Sequence, residues 1–288
     1  MAIVRRDPTK SREKKKPRED EPEEKVKLTL PTEATEPVDD LWGNLILLFG
    51  ERKVGKTAML SKVKGAFFMA TEVGYKGLRL FKRDVTTWRE AKGYAKLIAK
   101  DKEYKVIVID IADILYDLCF DYICEKMVIS HPNDEDYGKA WHAIKKEFEN
   151  FLLNLAHSGK GVVLVSHAEE KEVKQRGGEG YDRIMPTMSK QARKIIEGMV
   201  DIWACFTYDG KRRVLVISGD DHIAAGHRFG ERFLTPDGRR LRQIYMGRSP
   251  KEALANLQAA WNNEFEPHKD GDAEEVSTTK KSKISLRR

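Results

Sequence analysis

The chain has 288 residues, 40% of them hydrophobic, and 53 Lys and Arg against 46 Asp and Glu give it a formal net charge of +7. Length and apolar content allow one large or two small domains with a real core, and the moderate positive charge permits a polyanionic partner without demanding one. No stretch reaches the roughly 18 to 20 apolar residues of a membrane span, and Cys119, Cys124 and Cys205 form neither a CxxC pair nor a zinc spacing.

Residues 1–10 also lack the apolar segment of a secretory leader, so a soluble, cytoplasmic chain with buried reduced thiols and no membrane contact is expected. Residues 1–40 read as a disordered charged tail. Arg5, Arg6, Lys10, Arg12, Lys14, Lys15, Lys16 and Arg18 form a basic block, and an acidic block follows from Glu19 to Asp40. Such a block is ordinarily a solvated segment, with transient attraction to nucleic acid as the functional alternative. Residues 266–288 return to the same polar composition and read as a second tail. Both tails are nearly balanced in charge, so the positive excess belongs to residues 41–265, a single folded domain.

Leu45 to Phe49 is an apolar run expected to form a buried strand. It breaks into Gly50-Glu51-Arg52-Lys53-Val54-Gly55-Lys56-Thr57, which matches the phosphate-binding pattern GxxxxGK[ST] at every fixed position. The glycines let backbone NH groups turn inward around a polyphosphate, Lys56 reaches its outer phosphates, and the Thr57 hydroxyl is placed to ligate Mg2+. Ala58 continues the loop into a helix expected to end at Lys64.

Ala66 to Ala70 reads as a second buried strand running into Thr71-Glu72-Val73-Gly74. A carboxylate just past a strand end beside a phosphate site is placed to orient an attacking water, although a loop or capping glutamate fits the spacing equally well. Thr86 to Lys100 has helical spacing, with Trp88, Tyr94, Leu97 and Ile98 as anchors. Val106 to Ile109 is a β-branched and apolar run closed by Asp110, as expected of a central parallel strand whose terminal carboxylate holds Mg2+ through a water. An apolar helix is expected over Ile111 to Ile129, a loop over Ser130 to Gly138, and a helix over Lys139 to His157 with Trp141, Ile144, Phe148, Phe151, Leu152 and Leu155 on its core face.

Val162 to Val165 is a further buried strand, closed by Ser166 and His167. A histidine at such a tip either senses the outer phosphate or is simply hydrogen-bonded. Glu169 to Lys194 reads as a basic, glycine-bearing loop, and Lys171, Lys174, Arg176 and Arg183 are its candidate contacts to nucleic-acid phosphates, against the plain alternative of a surface loop. A helix over Gln191 to Met199 follows. Asp209-Gly210 then joins Asp201–Tyr208 to Arg213–Ile217 in a hairpin. Arg228 lies beyond it, and Pro250 to Asn262 is a closing helix.

This order of parts resembles a RecA-type ATPase core, most closely the phage-encoded RecA-like nucleotide-binding ATPases that include the single-strand annealing group called Sak-four. The segments FGERKVGKT, FFMATEVG, VIVID, KAWHAIKKEFENFLLNL and VVLVSH carry the resemblance, which spans about Leu45 to Leu241. It implies an α/β RecA-like P-loop NTPase fold with a mainly parallel central sheet flanked by helices and a C-terminal β-hairpin. It also implies ATP and Mg2+ as cofactors, Glu72 as the water-activating carboxylate and His167 as the sensing residue. By the same resemblance Lys171 to Arg183 is a DNA-contacting segment, and Arg228 is an arginine offered across a subunit boundary. The implied partners are single-stranded DNA, further copies of the chain in a ring or filament, and a single-strand-binding protein. Two departures stand out: Gly226 occupies the lysine position of the family's lysine-x-arginine pattern, and Ile111 follows Asp110 where a serine or threonine is common. The rival expectations are a nucleotide or metabolite kinase, with Arg239, Arg240 and Arg242 as a phosphate lid, and a non-catalytic ATP switch such as a loader.

Overall fold

The computed structural model describes residues 30–174 and 180–267. Most of both predicted tails, and Arg176, lie outside the described residues. A compact unit begins at Val38, and Leu41 is its first fully buried side chain.

In chain order the elements are β1 (Leu45–Gly50), α1 (Lys56–Leu60), β2 (Ala66–Ala70), β3 (Phe81–Asp84), α2 (Trp88–Lys100), β4 (Val106–Asp110), α3 (Ala112–Met127) and α4 (Lys139–Ala156). They continue with β5 (Gly161–Val173), β6 (Tyr181–Pro186), α5 (Lys190–Met199), β7 (Ile202–Asp209), β8 (Arg212–Val216), β9 (Gly226–His227), β10 (Gln243–Tyr245) and α6 (Pro250–Trp261). The central sheet runs β10-β8-β7-β1-β5-β4-β2-β3. From β7 to β3 all neighbours are parallel, while β8 pairs antiparallel with both β7 and β10.

Alternation along the strands builds two cores, which is why the parallel strands are apolar at nearly every position. Leu45, Leu47, Phe49, Ile107 and Ile109 face α2, α3, α4 and α5. Ile46, Leu48, Val106 and Val108 face α1 and α6 on the other side. Helix α2 starts where Thr87 accepts from Glu90 N and Glu90 accepts in return from Thr87 N, a reciprocal cap that satisfies two otherwise orphaned donors. Its buried side is Trp88, Ala91 and Ile98. The expected anchor Leu97 is instead 66% exposed, because it sits one residue off that stripe.

Three further expectations are corrected. Helix α1 ends at Leu60 rather than Lys64: Ser61 turns back onto Ala58 O at 2.6 Å, and Gly65 follows at φ 70°. The strand opening at Val162 does not stop at His167. β5 leaves the central sheet there and runs on to Val173, pairing antiparallel with β6, so the predicted basic loop is largely a two-stranded ribbon. Strands β3 and β10 carry too little apolar signal to be expected, and they form because β2 and β8 offer them unpaired edges.

Candidate nucleotide site

The loop between β1 and α1 is shaped by close approach and by backbone sign. At Gly50 a Cβ atom would lie 2.0 Å from Phe206 O, so β7 presses directly against the loop's entrance. Gly55, immediately before α1, has φ 115°, a conformation open to glycine and strained for other residues. Lys56 is 6% exposed, and its Nζ donates to Gly50 O and Glu51 O, both at 2.8 Å. Thr207 on β7 donates to Glu51 Oε1 at 2.7 Å, tying the same loop to its neighbouring strand.

Strand register brings the remaining groups to this end. Gly50 is level with His167 on β5, Asp110 with Val165 on β5, and Ala70, two residues before Glu72, with Asp110. Thr57 Oγ1 donates to Asp110 Oδ2 at 2.8 Å. Glu72 Oε2 lies 3.5 Å from His167 Nε2. A cavity of about 240 Å³ is lined by Lys53, Lys56, Thr57, Glu72, Asp110 and His167 among others. Lys56, Glu72, Asp110 and His167 therefore share one site, together with the loop from Lys53 to Ala58.

Burial controls the charges here. It pulls the Lys56 ammonium down to about 8, with Asp110 and Glu72 opposing the shift. It also pushes the Asp110 carboxyl up to about 6, against the hydrogen bond from Thr57. His167 is pulled below its ordinary value by burial, then by Lys56 and Arg52, while Glu72 pulls the other way, so the neutral imidazole is favoured. Asp110 Oδ1 and His167 Nδ1 are buried without a hydrogen-bond partner. A buried, unpartnered carboxylate oxygen beside a threonine hydroxyl fits Mg2+, an ion that takes one or two protein oxygens and completes its shell with water and phosphate. Thr57 and Asp110 are the residues that would hold it.

Several holding groups were not visible in the sequence. Tyr75 donates its hydroxyl to Asp110 O at 2.8 Å, and Thr71 accepts from Ile111 N at 2.7 Å and donates to Ile111 O at 2.9 Å. The backbone after Asp110 is thus fastened by the threonine that follows β2, from the neighbouring strand's end rather than from position 111 itself. Arg213 on β8 reaches Val54 O at 3.4 Å while donating to Gly247 O at 3.2 and 2.8 Å. Its only signal was the length of the hairpin, which carries β8 past the tip of β1.

Other expected residues lie elsewhere. Lys171 and Arg183 are paired across the β5–β6 ribbon, Lys171 is ion-paired with Glu169, and Lys174 is exposed near the ribbon's tip. Arg228 is at the opposite end of the sheet. Its backbone N donates to Asp201 O, its guanidinium to Gly198 O at 2.8 Å, and Asp201 in turn accepts from Leu45 N at the start of β1. Five residues of strand, about 17 Å, separate that level from Gly50. Arg228 therefore does not join the site of its own chain, and it lines a different cleft with Arg183, Glu197 and Asp201. The kinase lid is not formed either. Arg239 pairs with Asp237, Arg242 pairs with Asp220, and the lining of the Lys56 cavity includes none of Arg239, Arg240 and Arg242.

Residues 43–229, more than half of the chain, match the family described as AAA domain. The chain belongs to the AAA domain family. This AAA domain protein is also similar to the SPbeta prophage-derived uncharacterized protein YorG of Bacillus subtilis (strain 168), with 22% identity over 152 residues that cover 50% of this chain and 47% of that protein. The chain thus spans about half the length of the curated relative it matches. Family membership makes the loop from Gly50 to Thr57 that of an AAA-type P-loop ATPase domain. Among the described residues no helix is long and apolar enough to cross a membrane.

Proposed function

We propose that this AAA domain protein is a RecA-like, Mg2+-dependent ATP hydrolase that binds single-stranded DNA and acts in phage-type recombination, annealing or replication as an assembly of copies. The observation that carries the reading is the convergence of Lys56, Thr57, Asp110, Glu72 and His167 on one cavity from the loop after β1 and from the ends of three strands parallel to it, β2, β4 and β5. Strand β5 lies between β1 and β4, so His167 comes up between the phosphate loop and the strand that ends in Asp110. The prophage origin of YorG supports the phage setting.

In this reading Lys56 and the loop's NH groups bind the polyphosphate, and Thr57 and Asp110 hold Mg2+, which when bound neutralises phosphate charge. Glu72 accepts a hydrogen bond from the attacking water and takes its proton, and His167 orients the Glu72 carboxylate from 3.5 Å. The β5–β6 ribbon starts at His167, so a strand of nucleic acid on Lys171, Lys174, Arg176 and Arg183 would bear on the residue that positions Glu72.

The test is ATP turnover by the full chain with and without single-stranded DNA over a salt series. Turnover should require Mg2+ and rise about tenfold or more with DNA, which a non-catalytic switch would not do. Four phosphate contacts predict that log K for single strands falls with log salt at a slope of about −3. A flat salt response removes the DNA assignment and leaves the hydrolase, while full turnover by Lys56→Ala removes the hydrolase.

A further inference from the structure

We infer that Lys53 supplies, from within the same chain, the mobile cation that offsets charge on the transferred phosphoryl group, so that basal turnover needs no arginine from a neighbouring copy. The inference rests on the hydrolase reading above. Three observations on Lys53 meet. Lys53 is among the residues that line the cavity shared by Lys56, Thr57, Glu72, Asp110 and His167. It is exposed and, among the described residues, has no hydrogen-bond or ion-pair partner, whereas the Lys56 ammonium is engaged by two loop carbonyls. Its backbone sits at φ 65°, a left-handed conformation that is strained for a lysine and open to a glycine.

Arg228 lies at the other end of the sheet and is engaged by Gly198 and Asp201. Arg213 is committed to Val54 and Gly247. Arg52, beside Lys53, adds positive field at His167.

In the step itself the water oxygen bonds to the γ phosphorus while the bond from that phosphorus to the βγ bridging oxygen breaks. The water proton passes to Glu72, and negative charge builds on the bridging oxygen of departing ADP. A flexible ammonium free of carboxylates is the group able to follow that charge.

The experiment compares Lys53→Gly and Lys53→Arg with the parent chain. It reads kcat and KM for ATP, calorimetric affinity for ADP and for a non-hydrolysable ATP analogue, and melting without nucleotide. Lys53→Gly should lower kcat about 100-fold. The same variant should bind the ATP analogue about tenfold more weakly, keep its ADP affinity, and melt no lower than the parent because glycine relieves the left-handed strain. Lys53→Arg should recover most of the rate, and turnover per chain should stay constant on hundredfold dilution. A backbone role alone predicts that Lys53→Gly turns over at the parent rate, and that result overturns the inference. So does turnover per chain that collapses on dilution, since the cation then comes from a neighbour. Loss of turnover in Lys56→Ala with no effect in either Lys53 variant would spare the hydrolase reading and reject this one alone.

Discussion

At the N-terminal ends of β1 and β7 the polar groups are satisfied by the protein itself. Asn44 donates to Asp40 O and Leu41 O, both at 3.0 Å, Asp201 accepts from Leu45 N at 3.0 Å, and Arg228 closes the corner on Gly198 O. At the C-terminal ends of the same sheet Asp110 Oδ1 and His167 Nδ1 are buried without partners, and Lys56 and Asp110 have both been moved by burial toward their neutral forms. One end spends its polar groups on holding strands in register. The other keeps desolvated charge in the fold, a cost that a bound polyphosphate and its metal would offset.

The largest effect expected from that contrast belongs to Lys56→Ala. Phosphate release should fall by about a thousandfold or more, while melting in the absence of nucleotide should not drop, because a desolvated cation has been removed. Unchanged turnover would dissolve the distinction between the two ends. Next is Glu72→Gln, expected to lose about 100-fold in kcat with nucleotide affinity within about twofold of the parent. Equal losses in binding and turnover would make Glu72 a structural loop residue instead.

A smaller effect is the pH response. Binding of the Mg2+-nucleotide should rise as pH passes about 6, where Asp110 ionises, and decline above about 8, where Lys56 loses its proton. The stability signs follow from the same directions. The Asp110 carboxyl titrates higher in the folded chain than in the unfolded one. Its contribution is therefore fully present below the ordinary carboxylate value of about 3.9 and is lost as pH rises through about 6. Lys56 titrates lower when folded, so the unfolded chain binds more protons between about 8 and the ordinary lysine value of about 10.4, and stability contributed by this residue rises with pH across that window. Denaturant melts at a series of pH values would show whether Asp110→Asn and Lys56→Met flatten the two regions. The smallest effect on nucleotide binding comes from Asp201→Ala, at the opposite end of the sheet. It should cost about 1–3 kcal/mol of stability by leaving Leu45 N unpaired, while nucleotide affinity stays within about twofold.

Local chemistry was legible wherever the signal was short in range. The loop from Gly50 to Thr57 and the apolar runs of β1, β2 and β4 each state their conformation within a few residues, whereas the turn expected at Asp209-Gly210 lies one residue on, at Gly210-Lys211, with Asp209 paired to Arg212. Helix α4 shows the same at longer range, since Ile144, Phe148, Phe151, Leu152 and Leu155 are all buried as their spacing requires. What failed had its cause elsewhere in the chain. Phe81 to Asp84 becomes β3 because β2 offers an edge, and the basic segment after His167 becomes a ribbon because Tyr181 to Pro186 pairs with it. Leu97 is exposed rather than an anchor because one residue of helical phase decides burial, and phase is set by what α2 packs against.

The order of residues alone determined that this chain carries a phosphate-binding loop and a sheet of buried parallel strands, because both depend on neighbours in sequence: glycines that permit a turn, and β-branched residues that demand cover on two faces. Only the tertiary structure decided which polar residues meet. The order of strands put His167 beside Glu72 and Thr57 beside Asp110, brought Arg213 to the loop, and left Arg228 with the arginine trio at other parts of the sheet. Strands a few ångströms apart join residues far apart in the chain, and no local pattern encodes which strands those will be.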